Sequence, residues 1–294
     1  MASKKMDVTQ ACLLAIVSIL CILCIIPFLM VISGSLSTEK DIVDYGYTLI
    51  PKHLTLLSYK VLLLGSGRIL DAYGVTVLVT AIGTVLALLV NSMGAYVLTR
   101  KALKYRNILS VYALITLLFN GGMVPWYFVC VNYLHLQDSL LALILPALGN
   151  AFNMYLVRNY MLSVPEEIYE SAKMDGAGDL KYFFRFMLPL SKPVLATIGL
   201  FTALAYWNDW FIALMLVNKQ ELQPLQLILR TIVSNIEFVK SSGNAMDIQR
   251  LTAQLPSEGI KMAATVITIG PIVFLYPFVQ KYFVKGIMIG AVKG

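Results

Sequence analysis

Apolar residues fall along this chain in long blocks rather than at the three-to-four-residue spacing of an amphipathic surface helix. A membrane-crossing helix needs about 20 mostly apolar residues. Six blocks meet or approach that length: residues 11–32, 75–98, 107–131, 139–157, 193–217 and 262–279. The last two are the least regular, because Asp209 and several prolines interrupt them. Each helix satisfies its own backbone hydrogen bonds, so a bundle is the natural solution in lipid. The alternating ten-residue segments of a β-barrel are not present. The pattern predicts an all-α, polytopic membrane bundle of six transmembrane helices, with residues 1–294 forming one transmembrane domain.

Composition sharpens this picture. Of 294 residues, 59% are hydrophobic and 13% charged, about half the charged share of a soluble domain. The net charge of +7 follows topology and is no nucleic-acid signal. Arg100, Lys101, Lys104 and Arg106 crowd one loop without an acid between them. Lys4 and Lys5 precede the first block, and Lys281, Lys285 and Lys293 follow the last. Cations collect on the cytoplasmic side, so this loop and both termini are expected there, in agreement with an even number of spans. Residues 33–73 and 218–260 then lie outside. The first block is longer than the 7–15-residue core of a signal peptide and is read as an uncleaved anchor.

Candidate chemistry is sparse. Cys12, Cys21, Cys24 and Cys130 lie in or beside apolar blocks, and Cys21-x-x-Cys24 has no second pair or nearby histidine. Small apolar packing is expected of them rather than metal or redox work. His53 and His135 fall in outside loops, so no catalytic dyad or metal cluster can be assembled. No phosphate-binding G-x-x-x-x-G-K-[ST] loop occurs; the nearest stretch, Gly65-Ser66-Gly67-Arg68, lacks the lysine. Nor is there an intramembrane relay of acids and histidines. If the chain drives transport, another subunit must supply the energy.

The segment from 163 to about 189 is too polar for lipid and too regular for a loop. Ser163-Val164-Pro165-Glu166 reads as a capping box, with Glu166, Glu167 and Glu170 at the favourable end of the helix dipole. A short helix to Met174 should end at Gly176, which can turn the chain through a positive φ. Leu180, Phe183, Phe184 and Met187 then share one face of a second helix that Pro189 ends. The result is two short helices at a tight elbow between spans four and five. Physics alone allows an amphipathic elbow resting on the membrane surface.

Glu170-Ser171-Ala172, Gly176 and Leu188-Pro189 resemble the EAA motif of ABC importer permeases, with Ser171 in place of the usual alanine. The form is similar to that of the carbohydrate permeases that include the MalG subunit. Residues 139–146 with 152–160 resemble that family's fourth span, and Trp207-Asn208-Asp209-Trp210-Phe211 its fifth. Pro224 to Leu227 and 280–294 resemble a branch importing complex oligosaccharides. The resemblance implies that the elbow is a coupling helix docking on a cytoplasmic ABC ATPase. ATP-driven closure of the ATPase pair then rocks the bundle between inward- and outward-facing forms. Glu170, Ser171, Ala172, Asp175, Gly176 and Pro189 become the coupling residues: Glu170 and Asp175 as polar contacts, Ala172 and Gly176 permitting close approach. It also implies a second homologous permease subunit, two ATPase subunits that use ATP and magnesium, and an extracellular solute-binding protein. This chain then binds no cofactor and catalyses nothing.

Aromatic faces stack on sugar C–H groups while amides bond hydroxyls, so Trp207, Asn208, Asp209 and Trp210, with Asn150, are candidate pathway residues. Asp209 reads equally as an intramembrane pathway group or as an interfacial carboxylate in an aromatic belt. Asn120, Asn150 and Asn153 suit helix–helix hydrogen bonds as well as solute contacts. Trp126 and Tyr127 suit interface anchoring. Residues 218–260 form either a docking loop for the binding protein or a plain connector. An ion-gradient-driven secondary transporter is the alternative, but paired broken helices in two repeated halves are absent. A membrane protease or glycosyltransferase lacks its catalytic residues.

Overall fold

The computed structural model describes residues 8–64, 68–241 and 257–273. Helices dominate, and no strand occurs among the described residues beyond an isolated bridge between Ser37 and Leu54. In chain order they are α1 Val8–Ser35, α2 Glu39–Tyr45, α3 Leu57–Leu64, α4 Arg68–Thr99 and α5 Arg106–Leu118. Then come α6 Met123–Tyr133, α7 Leu140–Ala147, α8 Ala151–Met161, α9 Glu166–Met174 and α10 Asp179–Leu190. The remainder are α11 Lys192–Asn208, α12 Phe211–Leu216, α13 Leu225–Ser241 and α14, residues 257–273. They divide into two compact units, one within Met1–Ile69 and Thr231–Pro271, the other within Leu70–Arg230 and Ile272–Gly294.

Among the described residues two helices are long and apolar enough to cross a membrane unbroken, Cys12–Ser35 and Arg68–Thr99; the count reaches five if each bent pair is one span. The third predicted block is bent by 115° between α5 and α6. Gly122 sits there at φ 87, and its N–H donates to Asn120 Oδ1 at 2.9 Å. The fourth is bent by 52°, where Pro146 lies in a tight turn and Asn150 caps α8 by accepting from the Asn153 N–H at 3.0 Å. The fifth breaks at Asp209. Of the sixth block, 274–279 lie outside the described residues, as do Gly65–Gly67 and the C-terminal lysines.

In the first unit, α1 is apolar all round, and Leu13, Val17 and Ile25 stay exposed along its length. A helix hydrophobic on every side is stable only in an apolar surround. Cys12, Cys21 and Cys24 are exposed on it; the expected packing holds for Cys130, which is buried. Beyond α1 the chain turns polar. Thr38 caps α2, and the buried Asp41 carboxylate takes hydrogen bonds from Thr38 Oγ1 at 2.7 Å and from His53 Nδ1 at 3.1 Å. Those donors, Thr38 first, hold Asp41 below the usual carboxylate range. Glu39 accepts from Ser257 Oγ and from the backbone N–H groups of Glu258 and Gly259, at 2.7 to 3.3 Å. A carboxylate is thereby set on the positive end of α14.

In the second unit α4 carries the packing. Glycines let neighbouring helices approach closely: Gly83 lies under the ring of Tyr206 on α11, and Gly94 under Met154 on α8. Tyr206 is buried and donates its hydroxyl proton to the Ile144 carbonyl at 2.8 Å. Asn91 ties α4 to the bend between α7 and α8: its amide donates to Leu148 O at 2.8 Å, and its carbonyl accepts from Asn150 N at 2.9 Å. Asn153 on α8 reaches Thr202 on α11.

Candidate functional site

The elbow forms between α9 and α10. The predicted capping box does not form: α9 begins at Glu166, and Pro165 precedes it without a side-chain cap. Ser163 Oγ instead donates to Tyr160 O at 2.7 Å, serving the end of α8. The Glu166 carboxylate is taken by Lys101 Nζ at 2.5 Å. That bond and the lysine charge, helped by Arg100, hold Glu166 below the usual carboxylate range against a smaller effect of burial. α9 ends in a Schellman turn: Gly176 N donates to Lys173 O at 3.0 Å and Ala177 N to Ala172 O at 2.9 Å. Gly176 has φ 75 with open space around it, so backbone angle rather than crowding requires glycine.

The second elbow helix departs from the predicted face. Residues Phe183–Met187 form a π-helical turn, and the wider turn rotates the side chains that follow. Tyr182, Phe183 and Met187 are buried, whereas Leu180 is 70% exposed and Phe184 also faces outward. Pro189 stands in the last turn, and the chain bends by 81° into α11. Of the predicted coupling residues, Glu170, Ser171, Asp175, Gly176 and Pro189 are exposed. Ala172 is buried in the core beneath them, where its small size serves packing within this chain. Met174, at the tip, is 88% exposed.

An unanticipated arginine underlies the elbow. The Arg100 guanidinium, just past α4, lies 3.7 Å from the Tyr169 ring centroid, 4.8 Å from Tyr96 and 5.4 Å from Tyr182. One tyrosine comes from α9, one from α4 and one from α10. Asp179 Oδ1 joins two of them, accepting from Tyr96 at 3.3 Å and Tyr169 at 3.2 Å. Two buried Arg100 nitrogens have no acceptor among the described residues, so ring faces are what hold the cation. A recess of about 410 Å³ opens beside it, lined by Lys101, Ser163, Glu166 and Glu167 among others. In the sequence Arg100 was visible only as a topology charge.

The predicted pathway residues gather at the break after α11. Trp207 is buried, edge-on to Tyr73 at 6.1 Å. Asn208 is exposed at the end of α11, with its amide donating to Leu204 O at 2.9 Å. Asp209 lies outside both helices and accepts from the Ile212 N–H at 3.3 Å, starting α12. It is therefore a capping group at a chain break rather than a residue within one continuous span. Trp210 carries the Arg230 guanidinium on its ring face at 3.4 Å. Asn150 is the α8 cap described above, far along the chain from this group. Gln226, from α13, stood in the sequence only within the branch-like stretch Pro224 to Leu227, and Arg230, on the same helix, was not singled out.

Apolar helices bare of a polar coat, interrupted by breaks built from Gly, Pro and Asn, define a multi-span membrane protein. The chain belongs to the family described as binding-protein-dependent transport system inner membrane component, which matches residues 105–289. It is 40% identical to Protein LplC of Bacillus subtilis (strain 168) over 270 residues, covering 92% of this chain and 90% of that one. The polygalacturonan/rhamnogalacturonan transport system permease protein YtcP of the same organism is 39% identical over 275 residues, covering 93% and 94%. Among solved structures, a chain of a bacterial ABC transporter involved in the import of the acidic polysaccharide alginate superposes with a TM-score of 0.81. It is 29% identical, with 96% of this chain and 99% of that chain covered.

Proposed function

We propose that this chain is a permease subunit of an ATP-driven importer of carbohydrate, and of an oligosaccharide in particular. Residues 1–294 act as one six-span transmembrane domain in the cell membrane, with both termini cytoplasmic, and supply half of the translocation pathway. A second homologous permease supplies the other half. Two cytoplasmic ATPase subunits bind ATP and magnesium and perform the hydrolysis, and an extracellular binding protein delivers the solute. The relatives named for polygalacturonan/rhamnogalacturonan and alginate transport support carbohydrate as the solute. Family membership argues against the ion-gradient alternative.

The observation that carries the coupling role is the tip of the elbow. A Schellman turn at Gly176 presents exposed Glu170, Met174 and Asp175, an acid-rimmed apolar knob suited to a cleft on the ATPase. Displacing that knob pulls on α4 through Arg100 and Asp179, and on α11 through the bend at Ser191. Reconstituted complexes of wild type and Gly176→Trp test the reading. Loss of stimulated hydrolysis and of uptake, in a complex that still assembles, is the expected result. Unchanged activity would mean that the elbow only rests on the membrane surface.

A further inference from the structure

Two rungs join the break after α11 to the start of α13. Gln226 Nε2 donates to Asn208 Oδ1 at 3.2 Å, and Arg230 stacks on Trp210 at 3.4 Å. Gln226 and Arg230 are four residues apart on one helix and so share a face. Asn208 and Trp210 are the two residues flanking Asp209. The position of α13 here is fixed from below: Leu225, Leu227, Ile228 and Leu229 are buried, and Leu225 N donates to Thr76 Oγ1 at 2.8 Å. A rigid base therefore holds four exposed or half-buried groups in one patch: an indole, two amides and a guanidinium.

The guanidinium decides what the patch can take. Indole and amides suit any sugar. Arg230, however, is exposed, and among the described residues no carboxylate lies within ion-pair distance of it. The Asp209 carboxylate is turned to the α12 backbone. With one face on the Trp210 ring, the guanidinium is held flat while its N–H edge stays open. That fork matches a carboxylate in two parallel hydrogen bonds. A neutral sugar would strip water from a cation without returning an equivalent partner.

We propose that Asn208, Trp210, Gln226 and Arg230 form a subsite for an acidic sugar unit. Arg230 takes the carboxylate of a uronic acid, and the Asn208 and Gln226 amides take ring hydroxyls. This rests on the importer reading and adds to it the charge class of the solute. A competing use of the same cation is to meet an acidic side chain of the binding protein; the stacked indole and paired amides favour the sugar.

The test is ATP-driven uptake by the full reconstituted complex with its binding protein. Trigalacturonate is compared with its carboxyl-reduced trisaccharide and with neutral malto- and arabino-oligosaccharides, in wild type, Arg230→Gln and Arg230→Lys. Arg230→Gln should lower trigalacturonate uptake on the order of tenfold to a hundredfold, the value of a hydrogen bond to a charged group, without lowering uptake of the reduced sugar. Arg230→Lys, a point charge without the fork, should fall between. An equal fall for acidic and neutral sugars would assign Arg230 to binding-protein docking and overturn the subsite. Uptake of neutral sugars alone, or of both kinds without any effect of Arg230→Gln, would overturn it while leaving the importer intact. No ATP-dependent uptake of any carbohydrate would remove both readings together.

Discussion

Gly83 on α4 packs directly beneath the Tyr206 ring of α11. A Cβ there would stand 2.6, 2.8 and 2.9 Å from three ring atoms of Tyr206, where ordinary contact begins at 3.4 Å. Relief requires a movement of about 0.8 Å, the difference between 3.4 and 2.6. The ring cannot retreat freely. Its hydroxyl is fixed on Ile144 O at 2.8 Å, and Val79, Ala87, Leu143 and Ala213 are buried with it in one cluster. Overpacking of this kind costs about 1–3 kcal/mol, and losing the Tyr206 hydrogen bond adds about 1 kcal/mol. The better helix propensity of alanine returns up to about 1 kcal/mol. Gly83→Ala should therefore destabilise the protein by about 1–3 kcal/mol net, seen as a thermal midpoint a few degrees lower in detergent. In a Tyr206→Leu background the same substitution should become neutral or stabilising, because the obstructing ring is gone. A Gly83→Ala protein as stable as wild type in the native background would refute the close approach of α4 and α11.

Arg100→Gln should leave the protein assembled but loosen the elbow from α4. Each lost cation–π contact is worth about 0.5–2 kcal/mol, so ATP hydrolysed per sugar imported should rise, with Arg100→Lys partly restoring coupling; an unchanged ratio would deny Arg100 that role. Asn91→Leu should cost about 1–3 kcal/mol by stranding Asn150 N and Leu148 O, measured as a fall in thermal midpoint, whereas an unshifted midpoint would show those groups finding other partners. Asp138 accepts from the backbone N–H groups of Lys219 and Asn218, which hold it below the usual carboxylate range. A depressed folded pKa contributes stability above the unfolded carboxylate pKa and loses it as pH falls through the folded value. Protection of the Asn218 and Lys219 amides against hydrogen exchange should accordingly be full near neutrality and fall in acid, and Asp138→Ala should abolish that pH dependence.

The apolar blocks were legible because lipid imposes a length that few other structures need; the first two predicted blocks lie within unbroken helices. The breaks were not, although their causes stand in the sequence. Gly121-Gly122 and Pro146 occur within otherwise apolar runs, and composition cannot distinguish a kink absorbed by neighbours from a bend of 115°. Gly176 could be placed because a helix that must turn sharply needs a residue tolerant of positive φ. The buried face of α10 was misjudged because a π-helical turn has no 3.6-residue period. Ser163 was misassigned for a different reason: a hydroxyl can serve the helix before it as readily as the one after it. Tyr96 and Arg100 at the end of α4, Tyr169 on α9 and Tyr182 on α10 come from three elements, so only folding brings them together. The same holds for Arg230 on Trp210, where the contact carries the chemistry and neither residue alone announces it.

The grip of Glu39 on the start of α14 also has a temporal side. Its partner Ser257 lies 218 residues further along the chain. At about 5–20 residues per second, a ribosome reaches that partner roughly 10–45 s after it has made Glu39. For that interval α1 and α2 exist without the segment that completes their unit, and the Glu39 carboxylate must remain hydrated. The first unit therefore cannot close until residue 257 has been made, and a chain halted before it would present an open N-terminal segment to the quality-control proteases of the membrane.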